Sequence, residues 1–432
     1  MKISIISDLH LNISLYKSCP DKEIPDLSFR VVDFMKAFKY MVNENINVIK
    51  PDLIVIAGDV YDTFDPSNSV RAFFNSQMRV LNNAKIPVLI LLGNHDVCRR
   101  HSSLEPLASL ELKGIKVIES PKSFLFKDNI LALFPYSMEV ERKDITIKDQ
   151  FKNFVNELND KRNNEEAFKG KEIIFFGHFG VKGARLNDYN EKNDELITLT
   201  TSTTTMVPVI NTPVKKSYIN SNDKDISLSD LDTIGANYVF LGDYHQHQVL
   251  GTKKCIAMYT GSIEKSDMTE IDQRKGFVVY DTEAEEIESM GKCRFIEYPN
   301  CRPMIELKGS FKDIESQLEK CNNHNGAVVK ISFVGNAEEL TSFSIGLDAF
   351  KRKLKAKVNP VHVYNQQKII DDEEETAATA LENEIMDKGH LESTDVLDVV
   401  GEMIKEKIKE DHEVTILENM SNEIYKEAML NK

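Results

Sequence analysis

The sequence predicts an α/β protein with layered sheets. Short apolar runs of strand length recur along the first 280 residues, and helical spacing separates the first three of them. Side chains able to hold metal ions stand directly after several of the runs. The runs are Ile3 to Ile6, Leu53 to Ala57, Val88 to Leu92, Ile130 to Phe134, Ile173 to Phe176 and Tyr238 to Leu241. Each is rich in Ile, Val, Leu or Phe, the composition of buried strands. Helical patterns fall near Phe29 to Asn45 and Ser69 to Asn82, and strand–helix alternation marks an α/β core. Ala257 to Tyr259 and Phe277 to Tyr280 read as later strands of the same sheets.

The chain has 432 residues, so more than one unit is expected. Residues 1–299 read as the main domain, with a polar insertion at about 182–229 that carries the run Thr200-Thr201-Ser202-Thr203-Thr204-Thr205. Residues 300–368 read as a small β-α-β-α-β domain. Its strands are Met304 to Leu307, Ala327 to Phe333 and Val361 to Tyr364; its helices are Phe311 to Cys321 and Ala337 to Leu354. Residues 369–432 read as an acidic linker, Asp371 to Glu375, followed by charged helices. Val396, Val399, Val400, Met403, Ile404 and Ile408 recur there at helical spacing, a stripe suited to burial on a partner or on the parent domain.

A hydrophobic fraction of 41% with 28% charged residues describes a soluble globular protein. The net charge of −15 argues against coating nucleic acid through bulk positive charge. A nuclease stays compatible with it, because divalent ions supply positive field locally. The six cysteines form no CxxC pair, which suits a reducing compartment. The first apolar run is too short for a signal peptide, and no run could span a bilayer. The expectation is a cytoplasmic protein (host cytoplasm for a viral chain) with no membrane contact.

The chemistry lies after the strands. The first run leads into Ser7-Asp8-Leu9-His10, the second into Gly58-Asp59-Val60-Tyr61-Asp62, and the third into Gly93-Asn94-His95-Asp96. Later runs lead into Gly177-His178 and Gly242-Asp243-Tyr244-His245-Gln246-His247. Alternation along extended backbone would put Asp8 and His10 on one side, where both reach one ion. Carboxylate, imidazole and amide oxygen together suit a divalent ion such as manganese. Two such ions roughly 3.5–4 Å apart stabilise attacking and leaving oxygens in phosphoryl chemistry, and Asp59 is the candidate bridge. Taken singly, Asn-His-Asp is an ordinary turn sequence and a lone His after a strand is more often a core residue. Such segments recurring in order after successive strands outweigh that plain reading.

The order D-x-H, G-D-x-x-D, G-N-H-D, G-H and a final histidine motif resembles the calcineurin-like metallophosphoesterases over about residues 1–280. Within that superfamily the chain is most similar to SbcD-type exonuclease subunits of double-strand-break repair complexes. That likeness rests on Gly58 to Thr63 with Pro66-Ser67, on Gln248 to Gly251, and on Tyr259 to Glu264. The resemblance implies a four-layer α-β-β-α sandwich with a small α+β capping domain and C-terminal helices. It implies that Asp8, His10 and Asp59 hold one ion, and that Asp59, Asn94 and His178 hold the other. His95 would face the scissile phosphate and donate a proton to the leaving oxygen. Implied partners are DNA, as double-strand ends or single strands, and an SbcC-like coiled-coil ATPase gripped by helices after the capping domain. Homodimerisation stays open.

The last motif departs from the family's G-H-x-H. With the glycine as anchor, Asp243 joins the second ion and His245 the first. With the H-x-H pair as anchor, His245 and His247 are the ligands. The glycine-anchored register is preferred, since Gln248 to Gly251 then follows without a gap. Two other functions compete. One is a different dimetal phosphoesterase, such as a phosphatase or nucleotide phosphodiesterase; Thr63 stands where protein phosphatases usually carry Arg. The other is a catalytically silent scaffold subunit.

Overall fold

Two six-stranded sheets lie face to face and each carries helices on its outer side. The computed structural model describes residues 1–15, 19–108, 110–184, 226–321, 324–335, 346 and 349–369. The first sheet runs β14-β13-β1-β2-β3-β4, comprising β1 (Lys2–Ile6), β2 (Leu53–Ala57), β3 (Val88–Leu91), β4 (Ile115–Ile118), β13 (Gly276–Asp281) and β14 (Cys293–Glu297). The second runs β11-β12-β10-β7-β6-β5, comprising β5 (Lys122–Phe126), β6 (Asn129–Phe134), β7 (Glu172–His178), β10 (Tyr238–Gly242), β11 (Gln248–Leu250) and β12 (Ile256–Tyr259). A short parallel pair, β8 (Val181–Lys182) and β9 (Ile226–Ser227), stands apart from both.

In the first sheet β1, β2, β3 and β4 are parallel, with Ile3 opposite Leu53 and Ile54 opposite Val88. In the second β6, β7, β10 and β12 are parallel, with Gly242 opposite His178. Parallel pairing brings the carboxyl ends of β1, β2 and β3 to one edge of their sheet and those of β7 and β10 to one edge of theirs. That is where open α/β sheets gather ligands.

The layering follows from alternation along each strand. Ile3, Ile5, Leu53, Val55, Leu89 and Leu91 pack with Leu131, Leu133, Ile174, Phe176 and Phe240 between the sheets. The opposite faces, Ile54, Ile56, Val88 and Ile90, pack under helix α1 (Phe29–Glu44) and helix α2 (Asn68–Asn83). Ser28 caps α1 and Ser67 caps α2, each hydroxyl accepting a backbone N–H from the first turn. Val70, Phe74, Met78 and Leu81 form the buried stripe of α2. Short helices α3 (Glu105–Ala108) and α4 (Met138–Glu141) precede α5 (Ile147–Asn164), which covers the second sheet with Phe151, Phe154, Val155 and Leu158. The result is the expected four-layer sandwich. Among the described residues no helix is long and apolar enough to cross a membrane.

Strands β4, β5 and β14 and helix α5 are absent from the sequence reading. The strands are four or five residues long and lie at or near sheet edges, where Lys and Glu interrupt the apolar pattern. Only four apolar side chains of α5 are buried, so its stripe is faint in a polar sequence. Beyond the main sheets come α6 (Leu228–Leu231), α7 (Phe311–Lys320) and a three-stranded sheet of order β15-β16-β17, comprising β15 (Met304–Gly309), β16 (Val328–Gly335) and β17 (His362–Ile369). Of the helix expected over Ala337 to Leu354, residues 349–357 are described as helical. The chain divides into two compact units, one of Met1–Leu307, Ser316–Ile331 and Phe350–Asn365, the other of Lys308–Glu315, Ser332–Ala349 and Gln366–Lys432. Most of the Thr-rich insertion and the whole C-terminal stripe lie outside the described residues.

Phe134 is fully buried, with Phe151, Phe154, Phe175 and Phe179 around it at ring separations of 5.6, 5.9, 6.3 and 5.5 Å. Phe134→Ala is expected to destabilise the metal-free chain by about 3–5 kcal/mol, the range for deleting a core phenylalanine. Urea unfolding checks this, as a lower midpoint at unchanged slope.

Candidate metal centre

The loops after β1 and β2 run side by side. Asp8 N–H donates to the Gly58 carbonyl at 3.2 Å, His10 N–H to Asp59 at 3.0 Å and Leu11 N–H to Val60 at 3.0 Å. Asp8, His10 and Asp59 adopt positive φ of 50°, 37° and 50°. The expectation that extended backbone aligns Asp8 with His10 is therefore wrong in its reason. Strand β1 stops at Ile6, and left-handed turns bring the two side chains together, a strained geometry that the paired loops hold in place. Gly58 has φ of 94°, and a Cβ there would stand 2.1 Å from His178 Nδ1; only glycine lets the β2 loop pass so close. A second correction concerns His178. It closes β7, hydrogen-bonded within the sheet, and does not follow the strand.

Asp96 locks the third loop to the second. Its buried carboxylate accepts N–H groups from Val60 at 3.1 Å, Tyr61 at 3.2 Å and Gly93 at 3.0 Å. Burial and the Asp59 carboxylate push its pKa up, while these backbone donors favour the ionised form. Ser7 plays a smaller part, donating its hydroxyl hydrogen to Asp8 Oδ2 at 2.6 Å. Neither residue was among the expected site residues, although Asp96 stands openly in the Gly93-Asn94-His95-Asp96 turn.

Among the described residues three groups of donors converge, each with one atom per residue within 4.8 Å of the others: Asp8, His10 and His245; His10, Asp59 and His95; Asp8, Asp59 and His178. Asp59 faces two ways. Its Oδ2 lies 3.6 Å from His10 Nε2, and its Oδ1 lies 3.3 Å from His178 Nε2. Asn94 Oδ1 stands 3.1 Å from the same His178 nitrogen. On the other side His245 Nε2 and His10 Nε2 meet at 2.9 Å. The second ring nitrogens are spent on fixed acceptors. His178 Nδ1–H donates to the Ala57 carbonyl at 2.8 Å, and His245 Nδ1–H to Glu270 at 2.6 Å. Such outer partners select the tautomer that turns Nε2 inward as a metal ligand.

The charge balance fits cations. Burial alone would lower the His178 pKa, but the carboxylates of Asp59, Asp8 and Asp243 outweigh it and raise it to about 10. Burial likewise works against Asp59 ionisation, yet His178, His10 and His95 hold its pKa below the usual carboxylate range. A pocket that keeps a proton on a buried imidazole has an excess of negative charge for a metal ion to meet. Mixed carboxylate, imidazole and amide donors suit a divalent ion there.

Asp8, His10, Asp59, Asn94, His178 and His245 are thus brought together. Asp243 lies beside them, its N–H donating to Asp8 Oδ1 at 3.0 Å, but outside the three convergent groups. His247 is engaged elsewhere: Nδ1–H donates to the Tyr259 carbonyl at 2.8 Å, and the ring stacks on Phe295 at 4.3 Å. Burial moves its pKa down to about 4. His95 is exposed and tethered, Nδ1–H donating to the Asp62 carbonyl at 2.7 Å and its backbone N–H to Asp59 Oδ1 at 3.0 Å.

Residues 1–207 match the family described as calcineurin-like phosphoesterase. The chain carries a calcineurin-like metallophosphoesterase domain. It is a metal-dependent phosphodiesterase of a family that uses divalent ions. It is 24% identical over 299 residues to the SbcD subunit of nuclease SbcCD from Staphylococcus epidermidis, covering 64% of this chain and 67% of that one. It is 22% identical over 376 residues to the DNA double-strand break repair protein Mre11 of Methanocaldococcus jannaschii, covering 85% and 82%. A dimetal phosphatase from Danio rerio aligns with 65% of this chain and 91% of its own, at 12% identity and a TM-score of 0.37.

The two registers of the last motif of this metallophosphoesterase make opposite demands. In the glycine-anchored register Asp243→Ala lowers occupancy of the second ion and His247→Ala leaves metal binding intact, because the His247 ring is held by the Tyr259 carbonyl and stacked on Phe295. Calorimetric titration with Mn2+ reads the difference; the reverse order would establish the H-x-H register.

Proposed function

We propose that this metallophosphoesterase is a DNA nuclease subunit hydrolysing phosphodiester bonds at DNA ends, in repair or recombination, with two manganese ions. The observation that carries it is the Asp59 carboxylate, whose oxygens face two separate donor sets. Asp8, His10, Asp59 and His245 would hold one ion. Asp59, Asn94 and His178 would hold the other, with Asp243 at its edge. Bound there, the ions supply positive field to the phosphate and activate the attacking water. The protein's own groups do the rest. His95 is exposed and fixed through Nδ1, which leaves Nε2 to hold a proton and deliver it to the leaving oxygen.

Polynucleotide is favoured over a small ester by what adjoins the site. Val97 and Ser102 pair across a tight turn that exposes Arg99, Arg100 and His101, a few residues beyond His95 and its neighbour Asp96. The His101 ring meets Phe64 edge-on at 5.1 Å. Cations beside an aromatic edge suit a strand's phosphates and bases, a local exception in a chain of net charge −15. The names of the relatives point the same way.

The test is hydrolysis of end-labelled duplex and single-stranded DNA beside a phosphomonoester, with and without Mn2+. Metal-dependent DNA cleavage that weakens as salt rises is expected; hydrolysis of the monoester alone would sink the nuclease reading. His95→Ala should lower DNA turnover by about 10²–10⁴-fold, the range for losing a general acid. Metal stoichiometry should not change. Loss of an ion in that variant would make His95 a ligand instead.

The proposal extends to a partner. With residues 1–299 as the nuclease domain and 300–368 as a cap, residues 369–432 are left as the docking segment for an SbcC-like ATPase that adds basic surface for DNA. Deleting residues 376–432 should spare cleavage of short single strands and abolish co-purification with the ATPase. A truncated chain that binds it undiminished rules this segment out.

A further inference from the structure

His245 is a ligand candidate contributed by the loop after β10, and a group outside the sequence motifs holds it. Glu270, in a single 3-10 turn (Met268–Glu270), is 5% exposed and accepts the His245 Nδ1–H through Oε1 at 2.6 Å. Its Oε2 accepts the Ser266 N–H at 2.7 Å and lies 2.8 Å from Lys275 Nζ. Lys275 is fully buried along its side chain, unusual for an ammonium group. Its Nζ also donates to the His245 carbonyl at 3.0 Å, Ser262 Oγ at 2.8 Å and Gln273 Oε1 at 2.8 Å. One lysine thus grips the backbone of His245 and the carboxylate that orients its ring. Ser262 N–H donates to the same His245 carbonyl at 2.9 Å.

We propose that Glu270 and Lys275 are positioning residues that set the affinity of one of the two metal sites, the site built on Asp8, His10 and His245. Glu270 fixes the ring so that Nε2 meets His10 Nε2, and Lys275 fixes Glu270. The lysine also offsets the carboxylate's charge, so the pair orients the ligand without adding net charge to an already acidic pocket. Among the described residues neither Asn94 nor His178 is hydrogen-bonded to this pair; His178 is oriented by the Ala57 carbonyl. Loss of Glu270 should therefore split the two sites. The inference rests on the dimetal reading.

The experiment titrates the metal-free full chain with Mn2+ by calorimetry and counts bound ions by metal analysis. The unaltered chain should take two ions. Glu270→Ala should bind one as before and the other about 10–100-fold more weakly, the range for losing a partner of a metal-bound histidine. Glu270→Gln keeps an acceptor oxygen and should recover most of the loss. If the unpaired lysine prevents Glu270→Ala from folding, the double variant Glu270→Ala with Lys275→Met removes both charges and should show the same split. Unchanged affinity for both ions in the Ala variant overturns the proposal. So does equal weakening of both, or a Gln variant as weak as the Ala variant. An unaltered chain that binds fewer than two ions would overturn the dimetal reading instead.

Discussion

Asp59 is a buried carboxylate at the end of a central parallel strand, and most of the structure around it answers the need to place positive charge on both of its oxygens. A carboxylate there has no water to solvate it, and burial alone would return it to the neutral acid. It stays charged because His10 lies on one side and His178 on the other. Those histidines come from different sheets, so the two facing layers must bring the carboxyl ends of β1, β2 and β7 to the same rim. Ala57 and Gly58 supply that closeness: the Ala57 carbonyl takes the His178 Nδ1–H, and Gly58 leaves room for the ring.

Holding several anionic groups together has a structural cost, and the loops meet it with backbone hydrogen bonds. Asp96 gathers three amides from two loops, and the β1 and β2 loops pair with each other. Residues in left-handed conformation at Asp8, His10 and Asp59 persist only because of this bracing. A site preorganised in this way has little to reorganise when charge develops on a substrate.

The overall acidity of the chain and the chemistry of its site are separate matters. A net charge of −15 describes the whole surface, whereas phosphate meets the few residues at the mouth of the centre. Arg99, Arg100 and His101 are exposed a few residues along the chain from His95. Local field, not total charge, governs how a phosphate is met at these distances, since dissolved salt screens charges more than roughly 10 Å apart.

The sequence by itself determined the layered α/β class, because buried parallel strands need continuous apolar runs and such runs are visible without neighbours. It also pointed to Asp8, His10, Asp59, Asn94, His178 and His245, which each follow or close such a run and which the fold brings together. Only the tertiary structure decided how they meet. Periodicity says nothing of a left-handed turn, so the alignment of Asp8 with His10 was legible and its cause was not. Edge strands β4, β5 and β14 were hidden because half-exposed strands tolerate Lys and Glu. The separation of His245 from His247, two residues apart in one motif, depends on the Tyr259 carbonyl and the Phe295 ring, which arrive from other strands. Glu270 and Lys275 have no motif at all, because a residue that acts by gripping a ligand is identified only by the ligand it reaches in space.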